Sequence, residues 1–136
     1  MQNPAPAAPG KSSTGLDENI AALLTYVLGW VSGLVFFLIE KDSKLVRFHA
    51  MQSILLSVLA LIVCIVGWIV TFVLVLILSQ LADVMGALAG VVATLVWLVI
   101  GAALLIALIM CLVKAYQGQF FKLPVIGNLA EKIVNK

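Results

Sequence analysis

Apolar residues in this chain gather into three long runs separated by short polar breaks. The first, Asn19–Ile39, has 16 hydrophobic residues in 21. The second, Ile54–Leu78, is interrupted only by Ser57, Gly67 and Thr71 over 25 positions. The third, Val84–Val113, has 26 hydrophobic residues in 30. At 1.5 Å per residue the shortest run reaches ~31 Å, close to the ~30 Å hydrocarbon thickness of a bilayer. Tilt, or projection into the headgroups, absorbs the excess of the other two. The pattern predicts three transmembrane helices at about 19–39, 51–79 and 84–113. Helix in the second run starts earlier, near Ser43 or Lys44, because Leu45, Val46, Phe48, Met51 and Gln52 are interfacial in character.

The polar breaks set the ends of these helices. Asp17 is placed to cap the first, Asp17 and Glu18 suit the positive end of its dipole, and the charged segment Glu40–Lys44 stops it. Asp83 at a bilayer centre would cost ~3 kcal/mol, so Ser79–Asp83 reads as a five-residue surface turn. The 60 residues 54–113 are too few for three spans with turns between them. Residues 1–15, dominated by Pro, Ala, Gly and Ser, read as a flexible tail and not as a signal peptide; residues 16–136 form one membrane domain. Past the third run, Gly118 and Pro124 break the helix, and Asn128 with Glu131 fits a capping pair. Val125, Leu129 and Ile133 then share a face set against Lys132 and Lys136, a short amphipathic segment suited to the membrane surface.

Composition agrees with this pattern. Of the 136 residues, 64% are hydrophobic and 10% charged, with a mean hydropathy of +1.23. A soluble domain averages about 25% charged residues and has too much surface for its volume to hide this much apolar area. A soluble enzyme, a disordered chain and a disulfide scaffold are excluded, and a net charge of +2 is too small to argue for nucleic acid. Cys64 and Cys111 lie inside apolar runs without metal or redox spacing. Three spans put the Glu40–His49 loop and the C-terminal tail on one side with seven cations, and the N-terminal tail and the Asp83 turn on the other with only Lys11. The positive-inside rule then predicts an N-terminus outside the cell membrane and a C-terminus in the cytoplasm.

Little in the chain can carry chemistry. His49 is the only histidine, without further ligands at metal spacing, so no metal or cofactor is expected. Ser53 and Gln52 follow it at i+4 and i+3. A serine–histidine pair is conceivable, but a polar cluster at the headgroup boundary, satisfying its own hydrogen bonds, is favoured. No charge relay runs through the apolar runs, and Thr25, Ser32, Ser57, Thr71 and Thr94 read as helix-packing residues. Two GxxxG motifs, Gly29/Gly33 and Gly86/Gly90, allow close helix approach, either of the first helix on the third or between copies of the chain.

Two polar stretches also carry a resemblance. Arg47-Phe48-His49-Ala50-Met51-Gln52-Ser53 opens the second helix, and Lys122-Leu123-Pro124-Val125-Ile126-Gly127 follows the third. With the Gly29–Gly33 helix ahead of them, these resemble a family of small bacterial membrane proteins of unknown function. That family is similar to the twenty-kilodalton Tic subunit of chloroplast protein import and includes the magnetosome proteins MamF and MmsF. The resemblance covers residues 17–131. It implies signature positions at Arg47, Phe48, His49, Ala50, Gln52, Ser53, Leu123, Pro124, Ile126 and Gly127. The physical expectation is structural: the Leu-Pro-x-Ile-Gly turn folds back so that His49 and Gln52 bond its free carbonyls, with Gly127 free to take a positive φ. The reading is therefore an all-α, non-enzymatic accessory protein in the bilayer, acting through helix contacts with itself or another membrane protein. The alternative is an oligomeric pore or translocation component.

Overall fold

The computed structural model describes residues 10–136, which form five helices and no strand. They are α1 (Glu18–Leu24), α2 (Trp30–Ile39), α3 (Lys44–Leu81), α4 (Asp83–Tyr116) and α5 (Ile126–Val134). The all-α class follows from the sequence. α3 and α4 are long and apolar enough to cross a membrane, with mean hydropathies of 3.2 and 3.0 over their most apolar stretches. Those stretches are 0% and 6% buried, so the two helices are not the core of a soluble protein. The chain divides into two compact units. One holds the described residues up to Val58 together with Ala107–Lys136, and the other is Leu59–Ile106.

The first unit departs most from expectation. The run 19–39 is not one helix but two, α1 of 7 residues and α2 of 10, reaching only ~10 and ~15 Å. Helical bonding fails over 25–29, where Gly29 has φ 59° and ψ −128°, a conformation essentially restricted to glycine. The hydroxyls expected to serve packing repair this break. Thr25 Oγ1 donates to Ala22 O at 2.6 Å, Ser32 Oγ donates to Thr25 O at 2.9 Å, and Ser32 Oγ accepts the Leu28 N–H at 3.1 Å. Internal partners replace the lost helical bonds, so the backbone can turn within an apolar stretch.

The turn brings the two ends of the run together. Ser13 N lies 3.0 Å from both Glu40 carboxylate oxygens, and Ser43 Oγ donates to Glu18 Oε2 at 2.8 Å. The 10–18 segment and the 40–43 loop therefore sit side by side, not on opposite sides as a single crossing helix requires. Residues 10–15, assigned by composition to a flexible tail, form a closed loop. Glu18 N donates to Gly10 O at 2.9 Å, and Lys11 pairs with Asp17. Asp17 holds the N-cap position of α1 but makes no side-chain cap bond, its carboxylate being spent on Lys11. Residues 1–9 of that tail lie outside the described region.

α2 is fastened to α3 by its small residues and its C-terminus. A Cβ on Gly33 would stand 2.9 Å from Ala50 O, and one on Gly29 would stand 3.1 Å from Ser57 Oγ. The first GxxxG pair thus faces the second apolar run, where the sequence offered the third. Arg47 reaches back to donate to Glu40 O at 2.8 Å and lies over the Phe37 ring at 4.6 Å, covering the carbonyl end of α2.

The second unit is a plain helical hairpin. α3 and α4 are joined by Ala82 alone, where a five-residue turn was expected, because helix persists through Ser79–Leu81 and resumes at Asp83. Gly86 admits this tight closure, since a Cβ there would stand 2.7 Å from Ser79 Cβ. Further along, Gly67 makes room for the Trp97 ring, whose Nε1 donates to Thr71 Oγ1 at 3.2 Å. Gly90, by contrast, faces open space. Trp68 is 66% exposed and stacks on Phe72 of its own helix.

Candidate functional site

The signature residues converge in the first unit. At the start of α3, Phe48, His49, Ala50, Gln52 and Ser53 point inward, each nearly or wholly buried. α4 ends in a Schellman turn: Gly118, at φ 72°, donates to Ala115 O at 3.0 Å, and Gln119 N donates to Lys114 O at 2.9 Å. The turn sends residues 119–123 back across the start of α3. His49 Nε2 meets Gln119 O at 2.8 Å, Gln52 Nε2 donates to Phe121 O at 2.9 Å, and Leu123 N donates to Gln52 Oε1 at 3.2 Å. The carbonyls engaged thus belong to Gln119 and Phe121, ahead of the motif, and Leu-Pro-x-Ile-Gly itself contributes the Leu123 N–H.

A residue outside the signature completes the cluster. Tyr26, in the break between α1 and α2, places its hydroxyl 2.9 Å from His49 Nδ1 and 3.1 Å from Gln52 Nε2. Proton positions follow from the partners. Gln119 O can only accept, so Nε2 carries the imidazole hydrogen. Nδ1 of the neutral ring then accepts from Tyr26, whose oxygen accepts from Gln52. Gln52 uses both amide hydrogens and its oxygen. No buried side-chain polar atom among the described residues lacks a partner. Around this core, Phe48 packs edge-on to His49 and to Phe120, at centroid distances of 5.2 and 5.5 Å.

His49 and Ser53 are not paired with each other. Ser53 Oγ donates to Gly29 O at 3.0 Å, supporting the turn that Gly29 makes, while both ring nitrogens of His49 are engaged elsewhere. Arg47 serves the α2 terminus, as described. Pro124 is exposed and Leu123 buried. Positive φ falls on Val125, at 65°, and not on Gly127. Gly127 is needed for another reason: a Cβ there would stand 2.5 Å from Lys122 Cα, so only glycine admits this return of the chain. α5 starts at Ile126 with Val125 in the N-cap position, and Glu131, offered by the sequence as a capping partner of Asn128, pairs with Lys122. Glu131 is held below the usual carboxylate range, chiefly by its hydrogen bond from Lys122.

Above the cluster, Glu40 is a second node that the sequence showed only as a loop charge. It is fully buried, and its carboxylate accepts from Ser13 Oγ at 2.8 Å, Ser43 N at 2.9 Å and Asp42 N at 3.0 Å. Burial raises its pKa, but the N–H groups of Ser43, Ser13 and Asp42 with the Ser13 hydroxyl outweigh that, and the net shift is downward. Among the described residues no group of three or more His, Cys, Asp and Glu side chains is arranged to hold a metal.

Comparison with known proteins identifies the family. Residues 16–130 match the MamF/MmsF family, described as a magnetosome magnetite crystal formation protein family. The UPF0132 membrane protein MJ1443 of Methanocaldococcus jannaschii is 38% identical over 123 residues, 90% of this chain and 94% of that protein. A UPF0132 membrane protein of Archaeoglobus fulgidus is 35% identical over 117 residues, 86% and 95% of the two chains. No solved structure matches.

Proposed function

For this chain, which belongs to the MamF/MmsF family of membrane proteins, we propose a non-enzymatic, structural role as a bilayer scaffold. α3 and α4 carry it across the membrane and back. In this reading the first apolar run dips into the bilayer as a re-entrant pair, α1 and α2, and leaves on the side it entered. The observation that carries the proposal is the closed hydrogen-bond cluster of Tyr26, His49 and Gln52 with residues 119–123. The donors and acceptors of Tyr26, His49 and Gln52 are spent on the chain itself, so the cluster locks the re-entrant pair and the tail to α3.

The re-entrant path revises the topology inferred from three spans. All 8 Lys and Arg residues then lie on one side, with only Asp83 at the far turn, so the positive-inside rule places both termini in the cytoplasm. Reporter fusions test this. A fluorescent protein should fold at either end, and alkaline phosphatase should be active only when inserted at Ala82. An active phosphatase at the N-terminus overturns the re-entrant reading. The mineral role in the family's description is not part of this proposal; three of the chain's carboxylates are engaged within it, Asp17 with Lys11, Glu18 with Ser43, and Glu40 with Ser13 and Ser43.

A further inference from the structure

We propose that α5 is an anchor for anionic phospholipid headgroups. Its buried side is Gly127 and Ala130. Its exposed side carries Val125 and Leu129, 78% and 45% exposed, together with exposed Lys132 and Lys136. The sequence set these lysines against the apolar face. At 100° per residue Lys132 and Lys136 instead fall about 60° and 20° from Leu129, both on the side of Val125, so they share its exposed face. A helix face that carries apolar side chains together with lysines suits a headgroup boundary, apolar atoms toward the acyl chains and ammonium groups toward phosphates.

Charge supplies the commitment to an anionic lipid. The first unit holds all 8 cations of the chain and five of its 6 acids, Asp17, Glu18, Glu40, Asp42 and Glu131. Those acids are engaged within the unit: Asp17 with Lys11, Glu18 with the Ser43 hydroxyl, Glu40 with the Ser13 and Ser43 N–H groups, Asp42 sharing the one Ser13 hydroxyl hydrogen with Glu40, and Glu131 with Lys122. Lys41, Lys44, Lys114, Lys132 and Lys136 have no acid partner among the described residues. The unit thus carries an excess of positive charge, with Lys132 and Lys136 exposed on the face of Leu129, complementary to a phosphodiester surface.

The test uses the full chain, with Cys64→Ala and a fluorescent probe attached at Leu129→Cys, in nanodiscs of pure phosphatidylcholine or with 30% phosphatidylglycerol. Acrylamide quenching reads whether the strip is buried in lipid. Protection is expected with phosphatidylglycerol and not without it, and it should fall on raising salt. K132Q/K136Q should weaken the docking equilibrium about thirtyfold, each lysine near an anionic surface contributing about fivefold. K132R/K136R should retain it, which separates loss of charge from loss of fold. Equal protection in both lipids, or protection unchanged in K132Q/K136Q, overturns the proposal. Neither outcome touches the re-entrant topology, which the reporter fusions test alone.

Discussion

Gln52 shows how much one amide can hold. It links Tyr26, Phe121 and Leu123, residues from two separate stretches of chain. Gln52→Leu keeps the volume and orphans the Phe121 carbonyl and the Leu123 N–H. Each buried orphan costs about 1–3 kcal/mol, so thermal unfolding in detergent should show a loss of about 2–6 kcal/mol, with faster hydrogen exchange over 119–123. Glu40 gives a pH dependence. Its folded pKa lies below its unfolded one, so its contribution is complete above the ordinary glutamate range and is lost as pH falls through the depressed value. Acidification should therefore release the 10–18 loop, read as new protease sensitivity there, and Glu40→Gln should remove that acid dependence. Nothing in the sequence sets Tyr26 beside His49 and Gln52. Its role needed the break in the first run, because a tyrosine on a straight helix would not be carried to the same place.

At the scale of elements, the two GxxxG motifs separate cleanly. Gly33→Ala should push α2 from α3, because the new Cβ meets a backbone oxygen, Ala50 O, which cannot rotate away. A loss of about 1–3 kcal/mol is expected by chemical denaturation. Gly90→Ala meets nothing within 4 Å, so it should leave folding unchanged or stabilise α4 by up to about 1 kcal/mol through helix propensity. If Gly90→Ala instead changes the oligomeric state by analytical ultracentrifugation, the second motif serves contacts between chains. α3 and α4 were legible as two long helices, though not the single-residue joint between them, since long apolar runs allow few alternatives in a bilayer. The break in the first run was not. Its agents, Thr25, Gly29 and Ser32, are each common in transmembrane helices, and the sequence carries no mark that they act together.

For the whole molecule, most apolar side chains along the α3–α4 hairpin face outward, as a bilayer requires and water forbids. Single-tryptophan variants check this. Trp30 and Trp68, 57% and 66% exposed, should be quenched strongly by brominated lipid. Trp97, turned toward Thr71 and Gly67, should be quenched less.

The 64% apolar content with which the chain is so plainly marked determined the solvent, the helical class and the two long helices. Those depend on sums over neighbouring residues, and hydrophobic burial has no direction. Which ends meet was decided by hydrogen bonds, which are directional and here join residues far apart in the chain: Ser13 to Glu40, Tyr26 to His49, His49 to Gln119. Only the folded backbone brings such partners within 3 Å. The turn of the first run, the common side of the charged segments and the closed cluster at His49 therefore belong to the tertiary structure.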